Sequence, residues 1–195
     1  MWGGEGRVFF PFTGKRESSI KIVACLCAST MGLRVFEIDA TTQHPGIIVE
    51  GAVASRETNG GWVTLRATRP LSPDDHQWGV KILDQGEGND GSGLMVGILP
   101  KVSPATVASL GSKYISELGG WCLSRAGENY GAWKCEKLPF STGCVLEFDL
   151  DFATKTLHIV CGRDRAVGHL PALTEADEVY PAFSMYYLNQ KVMFV

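Results

Sequence analysis

Residues 143–168 carry the clearest pattern in the chain. Leu146, Phe148, Leu150 and Phe152 alternate with Glu147, Asp149 and Asp151, so one face of this segment is apolar and the other acidic. Ala153-Thr154-Lys155 interrupts the alternation. Leu157, Ile159 and Cys161 resume it, with Thr156, His158 and Val160 on the other side, and Gly162-Arg163-Asp164-Arg165 reads as a second turn. The segment is therefore expected to be two strands joined by a short turn. A hairpin of this kind is marginal alone, and its apolar face requires an opposing sheet.

Candidates for that sheet lie on both sides. Short strand-like runs at 33–38, 46–50, 62–68, 77–83 and 94–99 are separated by Gly, Pro, Asn or Asp, and more follow at 120–124, 132–136, 179–187 and 191–195. One helix is expected near 104–110, with Ser103 as N-cap, Pro104 in the first turn and Gly111 as its end. Many short strands at such spacing predict an all-β, two-sheet antiparallel sandwich occupying residues 33–195. Residues 1–32, where basic side chains outnumber acidic ones, are expected to form a lead-in, either a first strand or a targeting segment.

Composition narrows the classes of function. At 195 residues with 45% hydrophobic positions, the chain can bury a core as one domain. No apolar run is long enough for a membrane helix. A net charge of −3 with both signs interspersed gives no footprint for nucleic acid. The six cysteines include no CxxC pair, and no Asn-x-Ser/Thr acceptor occurs. This predicts reduced, structural thiols without a zinc site, in an intracellular compartment, with the cytoplasm as the expected location and the nucleus or an organelle as alternatives.

Two motifs invite an enzymatic reading. Gly86-Glu87-Gly88-Asn89-Asp90-Gly91 matches a dinucleotide fingerprint literally, but the residues after it read as a strand where that motif needs a helix, so a hairpin loop is expected. Glu147-Phe148-Asp149-Leu150-Asp151 resembles the catalytic strand of laminarinase-like β-glucanases, which use a jelly-roll sandwich. Here Asp151 stands in place of a glutamate. The outer carboxylates of a straight strand would lie about 13 Å apart, against about 5–5.5 Å for a retaining pair. The competing reading is a solvated strand face. Glu147, Asp149 and Asp151 remain the residues of a glycoside-hydrolase alternative, and a lectin-like carbohydrate-binding sandwich is a third.

The sequence also resembles SPRY domains. His76-Gln77-Trp78-Gly79-Val80-Lys81-Ile82 resembles that family's H-x-W-E-V-x-I strand, and Gly97-Ile98 its V-G-I strand. Residues 143–168 are similar to its central hairpin, Val179-Tyr180-Pro181-Ala182-Phe183 to its L-Y-P-A-V strand, and residues 192–195 to its closing strand. The matches run in family order over residues 60–195. Gly79 and Cys161 depart from the usual glutamate and asparagine, and no PRY motif is found in 33–59. The resemblance implies a bent β-sandwich of the concanavalin A-like type. It would be without catalytic residues or cofactor, acting as an adaptor that holds a protein or peptide partner in rim loops. No nucleic acid or membrane partner is implied, and the domain is expected to be a monomer on its own. Residues 121–130 resemble the W-x-L-x-R…Y segment of SOCS-box-type SPRY proteins, whose tyrosine lines a peptide pocket. This nominates Asn129 and Tyr130. Tyr186, Tyr187 and Leu188 are nominated from the turn that in those proteins carries an apolar residue and a tryptophan. Trp121 is expected in the core.

Overall fold

The computed structural model describes residues 35–42, 44–88, 91–102, 110–174 and 177–195. Thirteen strands occur among them: β1 (Ile47–Glu50), β2 (Val53–Arg56), β3 (Val63–Arg66), β4 (Gln77–Gln85), β5 (Leu94–Pro100), β6 (Trp121–Ser124), β7 (Asn129–Tyr130), β8 (Lys134–Cys135), β9 (Val145–Asp151), β10 (Thr156–Cys161), β11 (Asp164–His169), β12 (Val179–Met185) and β13 (Gln190–Phe194). They pair into an eight-stranded sheet in the order β1-β2-β13-β4-β9-β10-β11-β8 and a five-stranded sheet in the order β3-β12-β5-β6-β7. The pairing within both is antiparallel. The expected two-sheet antiparallel sandwich is what forms.

The alternating segment occupies the middle of the larger sheet. β9 pairs with β10 on one side and β4 on the other, placing Leu150 opposite Leu157 and Phe148 opposite both Ile159 and Trp78. The Trp78 and Phe148 rings stack with centroids 4.8 Å apart and planes 5° from parallel. These residues meet Val63, Leu65, Leu94, Val96, Ile98, Leu123, Phe183 and Met185 from the smaller sheet in one buried core, which also contains Trp121. Asp151 closes the β9–β10 turn by accepting the backbone N–H groups of Ala153 and Thr154 at 2.9 and 3.0 Å.

The smaller sheet is buried on both faces. Odd and even positions of β5 divide between two clusters: Leu94, Val96 and Ile98 face the sandwich core, whereas Met95 and Leu99 join Cys122, Ala182, Leu110, Ile115 and Leu118 on the outer side. A strand covered on both faces reads as a continuous apolar run rather than an alternation, as β12 does, with all seven residues buried. Gly97 sits where the backbones come closest; a Cβ there would lie 2.0 Å from the carbonyl oxygen of Trp121.

Several expectations are corrected. The run at 33–38 is not a strand among the described residues. Ile38 makes one isolated bridge, to Ala67. The bonds of this segment go to Gly51 in the β1–β2 turn and to Arg66 and Thr68 beside the other sheet, so it spans the two sheets instead of joining either ladder. Strands β2, β7 and β11 were not expected. Asp164 and Arg165 belong to β11, and the turn is Gly162-Arg163 alone, with Gly162 at φ 64°. Two short 3-10 turns, Ala40–Thr42 and Ile115–Leu118, were also unanticipated. The expected lead-in at 1–32 and most of the expected helix near 104–110 lie outside the described residues.

Candidate functional site

At the end of the sandwich where β12 gives way to β13, strand register brings distant aromatic residues together. Val63 pairs with Met185, so the residues just beyond, Trp62 and Tyr186, become neighbours with ring centroids 5.1 Å apart. Tyr186 meets Tyr187 edge to face at 5.0 Å. On its other side Trp62 meets Tyr114 at 5.1 Å, and Tyr114 meets Tyr130 edge to face at 6.2 Å. Five rings thus form an unbroken strip from β7 to the β12–β13 turn. Each centroid distance falls within the range of attractive aromatic pairs.

Buried polar contacts fix the strip from below. Thr64 and Ser184, both fully buried, face each other across β3 and β12 with their oxygens 2.7 Å apart. The Thr64 hydroxyl donates to the Lys113 carbonyl at 2.6 Å, its backbone N–H donates to Leu110, and Ser184 Oγ accepts the Ile115 N–H at 3.1 Å. These bonds pin residues 110–115 to the sheet and so set Tyr114 in place. Arg56, 3% exposed, does the same for the segment preceding Trp62. Its guanidinium donates to the carbonyls of Thr58, Met185, Gly60 and Gly61 at 2.8, 2.8, 3.1 and 2.7 Å. Burial lowers its pKa, and the nearby Tyr186 hydroxyl opposes that shift.

The five residues nominated from sequence do not play equal parts. Tyr186 is exposed, at 37%, and so is Asn129. Tyr130 is half-buried; its hydroxyl donates to Glu128 at 3.3 Å, and burial together with that carboxylate raises its pKa. The Tyr187 ring lies over Gly88 and Gly93, where an added Cβ would fall 1.9 and 2.0 Å from ring atoms. Gly88 and Gly93 therefore form a seat for a tyrosine. Asn129 uses its amide nitrogen on the Cys135 carbonyl at 3.1 Å, and the Leu188 backbone N–H donates to Asn59 at 2.9 Å. Gln190, buried, accepts the N–H groups of both Tyr186 and Tyr187. Trp62 and Tyr114, which bridge the two nominated segments, were not singled out from sequence.

The acidic face of β9 is arranged differently. Asp149 accepts from His76 Nδ1 at 2.7 Å and from Gln77 at 3.0 Å. Asp151 is committed to its turn, and the backbone N–H of Thr154, foremost among its donors, lowers its pKa. Glu147 is exposed. No group of three or more metal-ligating side chains is found among the described residues.

Comparison with solved structures agrees with the topology. The chain is similar to a human SPRY domain, with a TM-score of 0.58 and 22% identity over 76% of this chain and 94% of that one. The SPRY domain of human HERC1 gives 0.60 and 21% over 80% and 96%. This is a SPRY-type fold. The neuralized NHR1 domain of Drosophila melanogaster shares it with a TM-score of 0.59 at 13% identity, over 83% and 98% of the two chains. No family model and no curated protein matches the sequence. Within the SPRY-type sandwich, one departure from the family's strand motifs has a local reason. At Gly79 a Cβ would meet Val195 Cγ2 at 2.7 Å, leaving no room for a glutamate without displacing the chain end.

Proposed function

We propose that this SPRY-type domain is a non-catalytic protein-interaction module that holds a peptide or partner surface on the strip Tyr130–Tyr114–Trp62–Tyr186–Tyr187. The observation carrying this reading is the continuity of the rings across four elements distant in sequence, supported by buried arginine, threonine and serine contacts. Tyrosine and tryptophan provide large contact area at small entropic cost, with polar atoms for a partner's backbone, which is why they dominate binding hot spots. A glycosidase reading is disfavoured because Asp149 and Asp151 are bound up in local hydrogen bonds and lie along a regular strand.

The test starts from a random peptide library displayed on phage and selected against the wild-type protein. Enriched peptides are expected to bind Tyr186→Ala and Tyr130→Ala about thirtyfold more weakly, the hot-spot range of about 2 kcal/mol. Thermal unfolding should stay near wild type. His158→Ala, on the outer face of β10, should bind normally. Peptides that bind both tyrosine variants as well as wild type would sink the proposal. A glycan-array ligand lost in Tyr186→Ala would replace it with a lectin-like one.

A further inference from the structure

Cys144 and Cys161 meet at the open end of the β9–β10 hairpin. Cys161 is registered opposite Leu146, and Cys144 lies two residues before Leu146, so the two cysteines share the inward face. Both are partly exposed and pack against the rim of the core as diagonal neighbours across the hairpin. Cys144 terminates a turn in which its own N–H bonds to the Ser141 carbonyl at 3.0 Å. That turn directs the Ser141 N–H at Cys144 Sγ at 3.4 Å, with the Ser141 hydroxyl at 3.9 Å. The sulfur thus faces the N–H and the hydroxyl of Ser141 and is reachable from solvent.

We propose that Cys144 and Cys161 form a peroxide-responsive thiol pair, Cys144 being attacked first and Cys161 resolving it to a reversible disulfide. The Cys144 thiolate displaces hydroxide from hydrogen peroxide; the O–O bond breaks and a sulfenic acid forms at Cys144. The Cys161 sulfur then attacks the Cys144 sulfur, the S–O bond breaks, and water leaves with the Cys161 proton. In sum, two thiols lose two protons and two electrons, and the peroxide is reduced to two waters. Burial opposes ionisation of Cys144, but the Ser141 and Cys161 donors outweigh it and bring the pKa below the ordinary thiol value. Burial, then the interaction with Cys144, raises that of Cys161. The other described cysteines differ. Cys122 is fully buried, and burial pushes Cys135 up to about 11.

The experiment treats the full chain with hydrogen peroxide, blocks remaining thiols, and maps peptides by mass spectrometry. A Cys144–Cys161 cross-linked peptide, lighter by two hydrogens (about 2 Da) and recovered as free thiols after dithiothreitol, is expected. Before oxidation, Cys144 should be alkylated on the order of tenfold faster than Cys135. Cys161→Ser should instead accumulate a sulfenic acid at Cys144 that dimedone traps, and Cys144→Ser should lose the cross-link while retaining the wild-type circular dichroism spectrum. Oxidation of Cys144 to sulfinic acid without a cross-link in the wild type, or equal reactivity of Cys135, would overturn the proposal. So would a cross-link made preferentially to another cysteine.

Discussion

Arg56 gives the sharpest test of how the aromatic strip is held. Its guanidinium is buried without a carboxylate among its hydrogen-bond partners and satisfies four carbonyls. Those of Thr58, Gly60 and Gly61 belong to exposed residues, where water can take over. Each of these three bonds is therefore worth only about 0.5–1 kcal/mol. The bond to the buried Met185 carbonyl comes from a charged donor and is worth about 1.5–3 kcal/mol. Relief of the buried charge offsets part of the sum. Arg56→Met should therefore destabilise the fold by about 2–3 kcal/mol, lowering Tm by about 4–12 °C for a chain of this size. Arg56→Lys restores the charge but not the planar fork and should recover only part of the loss. Thermal and urea unfolding give the stabilities. Hydrogen–deuterium exchange over residues 57–62 should accelerate in both variants, and strip-dependent peptide binding should fall with it. A methionine variant as stable as wild type, with unchanged exchange at 57–62, would refute the clamp.

Phe148→Ala removes a ring stacked on Trp78 in the core and should cost about 3–5 kcal/mol in urea unfolding. Gly97→Ala should cost about 1–3 kcal/mol, because the neighbour its Cβ meets is backbone that cannot rotate away; a stability equal to wild type would contradict the close strand approach. Asp151→Ala tests the turn through pH. The folded carboxyl has a pKa below its ordinary 3.8, so its contribution is fully present above that value and is lost as pH falls through the folded one. Unfolding curves of variant and wild type should therefore converge in strongly acidic solution and separate above about pH 4; a constant gap at all pH values would show that the charge plays no part.

The readable parts of the fold are those where one physical rule dominates. β9 and β10 alternate cleanly because one face is core and the other open, and their register follows from Leu146, Phe148 and Leu150 all facing inward. β5 and β12 are visible as apolar runs because a second cluster covers the outer side of their sheet. β2 is hidden because Val53-Ala54-Ser55-Arg56 shows no apolar alternation. Its inward arginine is stabilised by carbonyls contributed from β12 and from the following loop. β7, two residues long, has no periodicity to detect. The failure at 33–38 has another origin. Phe36 and Ile38 are buried as a strand would bury them, but their segment divides its hydrogen bonds between both sheets.

The site was half legible for a related reason. Tyr130 and the Tyr186-Tyr187 pair stand in segments with family-like neighbours, so local pattern marks them. Trp62 and Tyr114 are marked only by what they touch. Trp62 reaches Tyr186 because β3 and β12 align Val63 with Met185, a consequence of Leu65 lying opposite Phe183 in the core. Tyr114 reaches Trp62 because Thr64 and Ser184, one layer beneath, hold residues 110–115 against the sheet. The core side of β3 and β12 thus sets the register, and their outer side uses that register to place the rings. A change of one residue in that register would move Trp62 to the opposite face and divide the strip in two. The aromatic strip therefore depends on strand register as much as on its own side chains.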